Sequence, residues 1–283
     1  MIRTYFIVIV FLFLGKLQAG QSKTFNIITR DAHNFWEAGD DAYQLRHYPR
    51  FYQTLRLQSN ELIKSEKLIR ELADRFQQLY PSFNPADICI GFGNFSTGGN
   101  IEITNSGNLV YIGLEFHGPD SNTITKELPV SIQDYVSRSN FYRTIIHELA
   151  HVQQYTHGQK ITRTMNGNLL ANRIIREGIP DFISQFIAGK GKDGNYVVYG
   201  LQNEQELKAT LKSELWNPGN GNWFGGNDSL FVKRPRDLGY FMGSRIGEGF
   251  YNYHTRATNN LTLLIEIKNL EKFIAQSRYF EGL

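Results

Sequence analysis

Two histidines and a glutamate with a short, regular spacing are the residues of this chain whose types suggest chemistry most directly. His147 and His151 lie four positions apart, and Glu148 directly follows the first histidine. On a helix, side chains four residues apart project from one face about a turn apart, so both imidazoles can bind one metal ion. Glu148 would project roughly 100° further round, within reach of a water on that ion but poorly placed to be a ligand. This spacing predicts a metal hydrolase with Glu148 as its general base.

The alternative is that these three residues share their spacing by chance on a solvated helix. Their neighbours argue against this, because most of the surrounding positions are apolar and predict a buried helix. These apolar residues are Ile145, Ile146, Leu149, Ala150 and Val152. Imidazole and carboxylate groups inside such a helix need polar partners, since unpaired buried polar groups are costly. A bound metal ion would satisfy all of them, so metal binding is the favoured interpretation.

A catalytic zinc normally takes three protein ligands, so a third ligand is needed beside His147 and His151. One candidate is Glu177, in a second apolar segment, and the other is His157, six residues after His151. If the helix continues, His157 lies roughly 240° round from His151 and about 9 Å further along the axis, so it faces away. Metzincin sites avoid this by breaking the helix at a glycine, where this chain has Gln154. We therefore favour Glu177, with a metzincin-like site using His157 as the alternative.

Asp181 is the candidate for a supporting role at the same site. It lies four residues after Glu177, so on a helix it would occupy the same face one turn further on. There its carboxylate could accept the outer N–H of a ligating histidine and orient the ring. The alternative is an aspartate that begins a new helical turn beside Pro180. Because proline removes a helical hydrogen bond, the helix is expected to kink or restart near Glu177.

The periodicity of the remaining chain predicts the elements that position these residues. Apolar residues at three-to-four spacing predict an amphipathic helix over Asn60 to Leu79. A nearly all-apolar helix is predicted over Asn168 to Ala188, buried against the metal-site helix. Short runs between turn residues predict a small sheet made of hairpins, and they cover Asp87 to Phe92, Asn100 to Thr104 and Leu109 to Phe116. An exposed edge strand could pair with an extended peptide, and Leu109 to Phe116 is either that edge or a core strand.

Composition and charge limit the class of protein and its compartment. With 283 residues, 41% hydrophobic and 20% charged, the chain is typical of a globular protein. Residues 1–19 resemble a signal peptide, with a positive start, an apolar run and a small residue at its end. Its removal would take away Arg3 and Lys16, leaving 28 basic side chains against 27 acidic ones. We therefore expect an exported protein, periplasmic or extracellular, without a nucleic-acid-binding surface and without a stable membrane anchor.

The two metal motifs together carry a family resemblance. His147-Glu148-Leu149-Ala150-His151 followed by Glu177-Gly178-Ile179-Pro180-Asp181 resembles the gluzincin branch of zinc peptidases, the thermolysin-like group. More specifically, it is similar to predicted zinc-dependent proteases of exported bacterial proteins, related to a gliding-motility lipoprotein. The segment from Leu238 to Gly243 is similar to the C-terminal helix of that family. The similarity spans most of residues 30–270, although the gap between the motifs is longer than in thermolysin and no lipidation cysteine is present.

The resemblance implies a zincin fold of the α+β class. A small antiparallel or mixed sheet and the metal-site helix would extend to about residue 158, over a mainly helical lobe in residues 159–283, all within one domain of residues 20–283. It also implies one Zn²⁺ per chain, held by His147, His151 and Glu177. Tyr240 would lie near the cleft, where its phenol could donate to the oxyanion; the alternatives are a buried aromatic role for Tyr240, or Arg245 or His254 as the donor.

Two functions remain open on these grounds. The first is a secreted or periplasmic zinc peptidase that hydrolyses a peptide or protein substrate. The second is a non-catalytic envelope or surface protein that keeps the zincin fold, with or without zinc. The presence of Glu148 favours the peptidase, because a structural metal site has no need of a base.

Overall fold

The structure is a computed structural model that describes most of the chain. The described residues are 26–29, 46–63, 65–92, 95, 97–118, 122–133, 136, 140–157, 169–189, 194–219, 222–225, 234–256, 258 and 260–283. The predicted signal peptide, residues 1–19, lies outside the described residues.

Four described strands form one small mixed sheet in the order β1-β2-β4-β3. The strands are β1 (Ile27–Thr29), β2 (Asp87–Gly91), β3 (Gly99–Thr104) and β4 (Gly107–Gly113). Pairing is parallel between β1 and β2 and between β2 and β4, whereas β3 and β4 form an antiparallel hairpin. The predicted sheet therefore exists, but only one of its strand pairs is a hairpin.

Helices make up most of the remaining described chain. Those before the metal motif are α1 (Pro49–Ile63), α2 (Glu66–Leu79), α3 (Leu114–His117) and α4 (Val130–Gln133). The motif itself lies in α5 (Phe141–His157). The later helices are α6 (Leu170–Ala188), α7 (Asn195–Gln202), α8 (Glu204–Glu214), α9 (Leu238–Phe250), a π-helical segment (Tyr251–Thr255), α10 (Thr262–Ile265) and α11 (Leu270–Gln276). Sheet and helices together confirm the α+β class.

The last predicted strand is shorter than expected and does not lie at the edge of the sheet. β4 ends at Gly113, whose N–H donates to the Gly98 carbonyl at 3.0 Å, and the chain then turns directly into α3. Pairing ends there because β3, the hairpin partner, begins only at Gly99. β4 lies between β2 and β3, so the prediction that Leu109 to Phe116 could form an edge strand was wrong. Among the described strands, β3 is the edge strand that pairs with β4.

The predicted helix over Asn60 to Leu79 is two helices. α1 ends at Ile63 and α2 begins at Glu66. Between them, Ser65 donates both its backbone N–H and its hydroxyl to the carbonyl of Leu62. Serine competes in this way with the regular helical hydrogen bonds, and the three-to-four apolar spacing does not register such an interruption.

α5 lies between the sheet and the later helices. It contacts β3 and β4 of the sheet, and it also packs against α6. The predicted apolar residues of this helix, Ile145, Ile146, Leu149, Ala150 and Val152, are all at most 1% exposed. This confirms that the helix is buried, and it means that the polar residues of the motif are held by a rigid core element.

α6 continues through Pro180 without ending. The helix is unbroken from Leu170 to Ala188, although Pro180 has no N–H to donate to the carbonyl of Arg176. The expected restart of the helix near Glu177 is therefore absent. The helix survives because Ile174, Ile175, Ile179 and Ile183 on it are all fully buried, so tertiary packing outweighs the missing hydrogen bond.

Gly243 and Gly247, one turn apart on α9, allow it to approach α6 closely, and Gly239 one turn earlier faces Phe224 outside α6. A Cβ on Gly243 would lie 2.0 Å from the Ile174 carbonyl oxygen and 2.8 Å from the Cα of Gly178. A Cβ on Gly247 would meet the Ile179 side chain at 2.8 Å, and one on Gly239 would meet the Phe224 ring at 2.3 Å. The backbones of the two helices therefore touch, which brings the first turn of α9 beside the metal motif.

None of the helices in the described ranges is both long and apolar enough to cross a membrane.

We expect Gly243→Ala to destabilise the protein by about 2 kcal/mol or more, at the upper end of the usual cost of overpacking a core. The reason is that the new methyl group would overlap a backbone carbonyl of α6, which cannot move aside as a side chain can. Urea unfolding followed by circular dichroism measures the loss. Gly225→Ala is the control, because the nearest atom to a Cβ there is 3.9 Å away. Equal stability of the two variants would contradict the close contact.

Candidate metal centre

Three potential metal ligands from two helices meet in the interior. His147 and His151 project from α5, and Glu177 projects from α6. Their ligand atoms all lie within 4.8 Å of one another. Glu177 Oε2 is 3.3 Å from His151 Nε2 and 4.0 Å from His147 Nε2. This group could hold a metal ion, and it consists of the ligands that the sequence favoured.

The helix geometry places the two imidazoles as expected from their spacing. Their ring centroids are 4.7 Å apart, and the rings are nearly perpendicular at 77°. All three side chains of the group are largely buried, with exposed fractions of 14% for His147, 16% for His151 and 12% for Glu177. Buried groups of this kind need compensating partners, and a cation between them would supply one.

The electrostatics of the three ligands favour one neutral imidazole and an ionised carboxylate. Burial, with the positive charge of His151, lowers the pKa of His147 to about 3. For His151, burial lowers the pKa, but the Glu177 carboxylate, together with Glu148 and Gln154, outweighs it, so the net pKa is raised. Burial also acts against the Glu177 charge, yet the two histidines hold the pKa of this carboxyl well below its usual range. Neutral imidazole and ionised carboxylate are the forms that bind metals.

Glu148 lies beside this group, and its pKa is higher than that of an exposed glutamate. It is only 8% exposed. Burial raises the pKa of Glu148 to about 7, although the charge of His151 lowers it in part. A Cβ on Gly99, the first residue of β3, would lie 2.5 Å from Glu148 Oε1, so the edge strand begins directly against this carboxylate. Both the acid and the carboxylate forms of Glu148 are therefore accessible near neutral pH.

Gln154 and Asp181 support the site in ways that differ from the sequence expectation. The outer nitrogen of His151, Nδ1, lies 3.0 Å from Gln154 Oε1. Asp181, predicted to hold a histidine, accepts from Arg143 at 3.2 Å and from Gln185 at 2.8 Å. Arg143 and Asp181 are 8% and 6% exposed, so this is a buried ion pair that joins α5 to α6. Each buried charge needs the other, which explains why the carboxylate turns to the arginine.

Arg176 is a neighbour of the site that the sequence analysis missed. Its Nε and one terminal nitrogen both donate to Glu177 Oε1, at 3.0 and 2.8 Å. The other oxygen, Oε2, is the one that faces the two histidines. The guanidinium therefore orients the carboxylate and directs a single oxygen toward the possible metal position. Adjacent residues on a helix do not normally face each other, so the spacing carried no signal of this contact.

Tyr240 lies beside the metal group, as the resemblance implied. Its ring centroid is 6.1 Å from that of His147 and 5.5 Å from that of Phe224. The hydroxyl forms no hydrogen bond with any described residue, and its pKa is raised by burial and by the Glu177 charge. The phenol therefore remains protonated and has a donor to offer. Its two rivals are engaged elsewhere, because Arg245 binds Glu204 and Glu248, and His254 contacts the Gln276 carbonyl.

His157, the alternative third ligand, does not join the other two histidines. It lies in the last turn of α5, where its ring packs edge-on against Tyr80 with 6.0 Å between centroids. Among the described residues, the only group suited to a metal is His147, His151 and Glu177. The helix continues past Gln154, so His157 is turned away from the site as the geometry predicted.

Comparison of the chain with protein-family models, with curated proteins and with solved structures finds no match.

We expect the purified chain to bind one divalent metal ion, and Glu177→Ala to weaken zinc affinity on the order of a hundredfold or more by removing one of three ligands. His157→Ala is the matched control on α5, and its affinity should stay within about twofold of wild type. Competition with a chromophoric zinc chelator measures both. A larger loss in the His157 variant than in the Glu177 variant would reverse the assignment of the third ligand.

Proposed function

We propose that this protein is a zinc-dependent hydrolase of peptide bonds. The observation that carries the proposal is the convergence of His147, His151 and Glu177 from two buried helices, with Glu148 next to them. A purely structural metal site needs ligands but no adjacent acid. A buried carboxyl group with its pKa near neutrality is what general acid–base catalysis requires.

The dimensions of the ligand group support zinc as the metal. Ligands about 2.1 Å from a tetrahedral zinc are separated from one another by roughly 3.4 Å. The separations of 3.3 and 4.0 Å between the histidine nitrogens and Glu177 Oε2 come close to this value, and all three ligand atoms lie within 4.8 Å of one another. Two nitrogens and one oxygen also form a typical ligand set for catalytic zinc, which leaves a fourth position for water. Zinc, when bound, would polarise the substrate carbonyl and lower the pKa of that water.

Glu148 would perform the proton transfers of the reaction. As a carboxylate it accepts a proton from the attacking water, and as the acid it returns that proton to the nitrogen of the leaving amine. Burial raises the pKa of Glu148 to about 7, and the positive charge of a bound zinc ion would lower it toward the carboxylate form that accepts the proton. Arg176 and Gln154 would hold Glu177 and His151 in position while this proton moves.

The edge of the sheet supports a peptide as the substrate. β3 is the strand beside β4 at the edge of the described sheet, and its first residue, Gly99, lies against Glu148. An extended chain can add to such an edge by backbone hydrogen bonds. We therefore assign to β3 the substrate-pairing role that the sequence analysis considered for Leu109 to Phe116. A peptide held there would pass directly by the proposed base.

Tyr240 is the proposed donor to the oxyanion that forms during hydrolysis. A second hydrogen-bond donor beside the metal is needed to stabilise the developing negative charge. The Tyr240 hydroxyl suits this task because it is protonated, adjacent to His147 and without a hydrogen bond to any described residue.

Two features of the sequence add to the proposal. The motif around His147 and the downstream Glu177 resemble those of gluzincin peptidases, and residues 1–19 resemble a signal peptide. We accordingly propose that the enzyme acts after export, on peptides or proteins outside the cytoplasm.

We expect Glu148→Gln to lose nearly all hydrolysis of casein or of a peptide mixture while it keeps its zinc, with a fall in kcat on the order of a thousandfold or more. Glutamine preserves the shape of the side chain but cannot accept the proton. Glu71→Gln is the control, since Glu71 is an exposed carboxylate on α2. Product masses and zinc content are measured together. Zinc at one per chain with no turnover by wild type would instead identify a non-catalytic metal-binding protein.

We expect Tyr240→Phe to lower kcat on the order of a hundredfold with little change in KM, because the lost hydrogen bond would form only in the transition state. Tyr155→Phe serves as the control, since Tyr155 is 42% exposed on α5. Steady-state kinetics on one defined peptide, with zinc content verified, provide the comparison. A kcat within about threefold of wild type would exclude Tyr240 as the oxyanion donor.

A further inference from the structure

Arg173 is a cation close to the metal centre that the proposed mechanism does not use. It lies on α6 four residues before Glu177, on the same helical face and about one turn away. Its guanidinium carbon lies 4.3 Å from the centroid of the Phe224 ring. The Phe224 ring in turn contacts Tyr240, 5.5 Å away between centroids. Arg173, Phe224 and Tyr240 thus form a continuous wall that leads to His147.

Arg173 differs from the other arginines near the site in having no acidic partner among the described residues. Arg143 pairs with Asp181, and Arg176 pairs with Glu177. No described carboxylate lies within ion-pair distance of Arg173, and its buried Nε has no hydrogen-bond partner. An arginine that is partly desolvated without a partner is unfavourable for the folded chain. Such a cost is typical of groups whose partner is a ligand.

We propose that Arg173 binds a carboxylate group of the substrate beside the metal centre, an inference that rests on the proposed peptidase function. The planar guanidinium presents donors in a fork that matches a carboxylate. Its stacking on Phe224 orients that fork and keeps water from one of its faces, which strengthens a charged hydrogen bond. The position on the wall with Tyr240 means that a carboxylate held by Arg173 belongs to the same bound molecule as the reacting peptide bond.

A peptide can supply this carboxylate in two ways. One source is the free α-carboxylate at its C-terminus, which would make the enzyme act near chain ends. The other is an aspartate or glutamate side chain close to the cleaved bond. Both offer the same two oxygens to the guanidinium, so substrate pairs must separate them. A peptide with a free or an amidated C-terminus tests the first source, and a glutamate or glutamine at one position tests the second.

The experiment measures equilibrium binding rather than turnover. Zinc-loaded Glu148→Gln protein is titrated with the paired peptides by calorimetry, because it binds without cleaving. We expect a carboxylate peptide to bind roughly ten- to a hundredfold more tightly than its neutral partner, which is the effect of a charge-assisted hydrogen bond pair. Adding Arg173→Gln to this protein should abolish the difference and leave the affinity for the neutral peptide unchanged.

Two controls separate recognition from structure. Arg234→Gln removes a charge from an arginine stacked on the nearby Trp223, 5.1 Å from its ring, and should keep the full preference for the carboxylate peptide. Arg173→Lys keeps the positive charge but loses the fork of donors, so it should keep only part of the preference for the carboxylate peptide. This variant also tests the proposal if Arg173→Gln does not fold.

The inference is overturned if the paired peptides bind equally well while Arg173 is intact, or if Arg173→Gln weakens the charged and the neutral peptides alike. Its failure is distinct from that of the proposed function. If hydrolysis depends on Glu148 but is equal for peptides with and without the carboxylate, only the proposed role of Arg173 would be contradicted. If the protein cleaves none of the peptides but still prefers a carboxylate in a way that depends on Arg173, only the proposed peptidase function would be contradicted.

Discussion

Gly178 of α6 and Gly243 of α9 meet backbone to backbone, and the arrangement of the metal centre depends on this contact. With no side chain between them, the two helices pack closely enough for the first turn of α9 to reach His147. Close-packed interiors respond to even one added methyl group, so the contact acts as a fixed spacing rather than an adjustable one. The potential metal ligand on α6 and the phenol on α9 are therefore positioned by the same glycine pair.

The centre also concentrates charge inside an apolar core, which is unfavourable unless each charge has a partner. The ion pair of Arg143 and Asp181 joins α5 to α6 one turn away from the ligands on each helix. Arg176 neutralises Glu177 from the side opposite the histidines. These contacts balance the buried charges without using the nitrogens and the oxygen that face the possible metal. Arg173 alone among the arginines near the centre lacks such a partner in the described part of the chain, and the proposal that it binds a substrate carboxylate rests on this observation.

The sequence by itself determined what depends on residues close together along the chain. The spacing of His147 and His151 on one helical face, the burial of α5 and the direction of His157 all follow from a regular rise and rotation per residue. Glu177 could be chosen over His157 by the same geometry. Local pattern was less successful at two positions: apolar periodicity did not register the interruption at Ser65, and the missing N–H of Pro180 did not end α6, because tertiary packing outweighs it.

Only the tertiary structure decided which distant residues meet. Asp181 was predicted to hold a histidine, and the packing of α5 on α6 also brought Arg143 within hydrogen-bond distance of it. The edge of the sheet was decided by β2 and β3 pairing with opposite sides of β4. Tyr240, Phe224 and Arg173 reach one wall of the site because α9 crosses α6 at glycines. Such contacts arise from the shapes of whole packed surfaces, and no periodicity within a single segment contains that information.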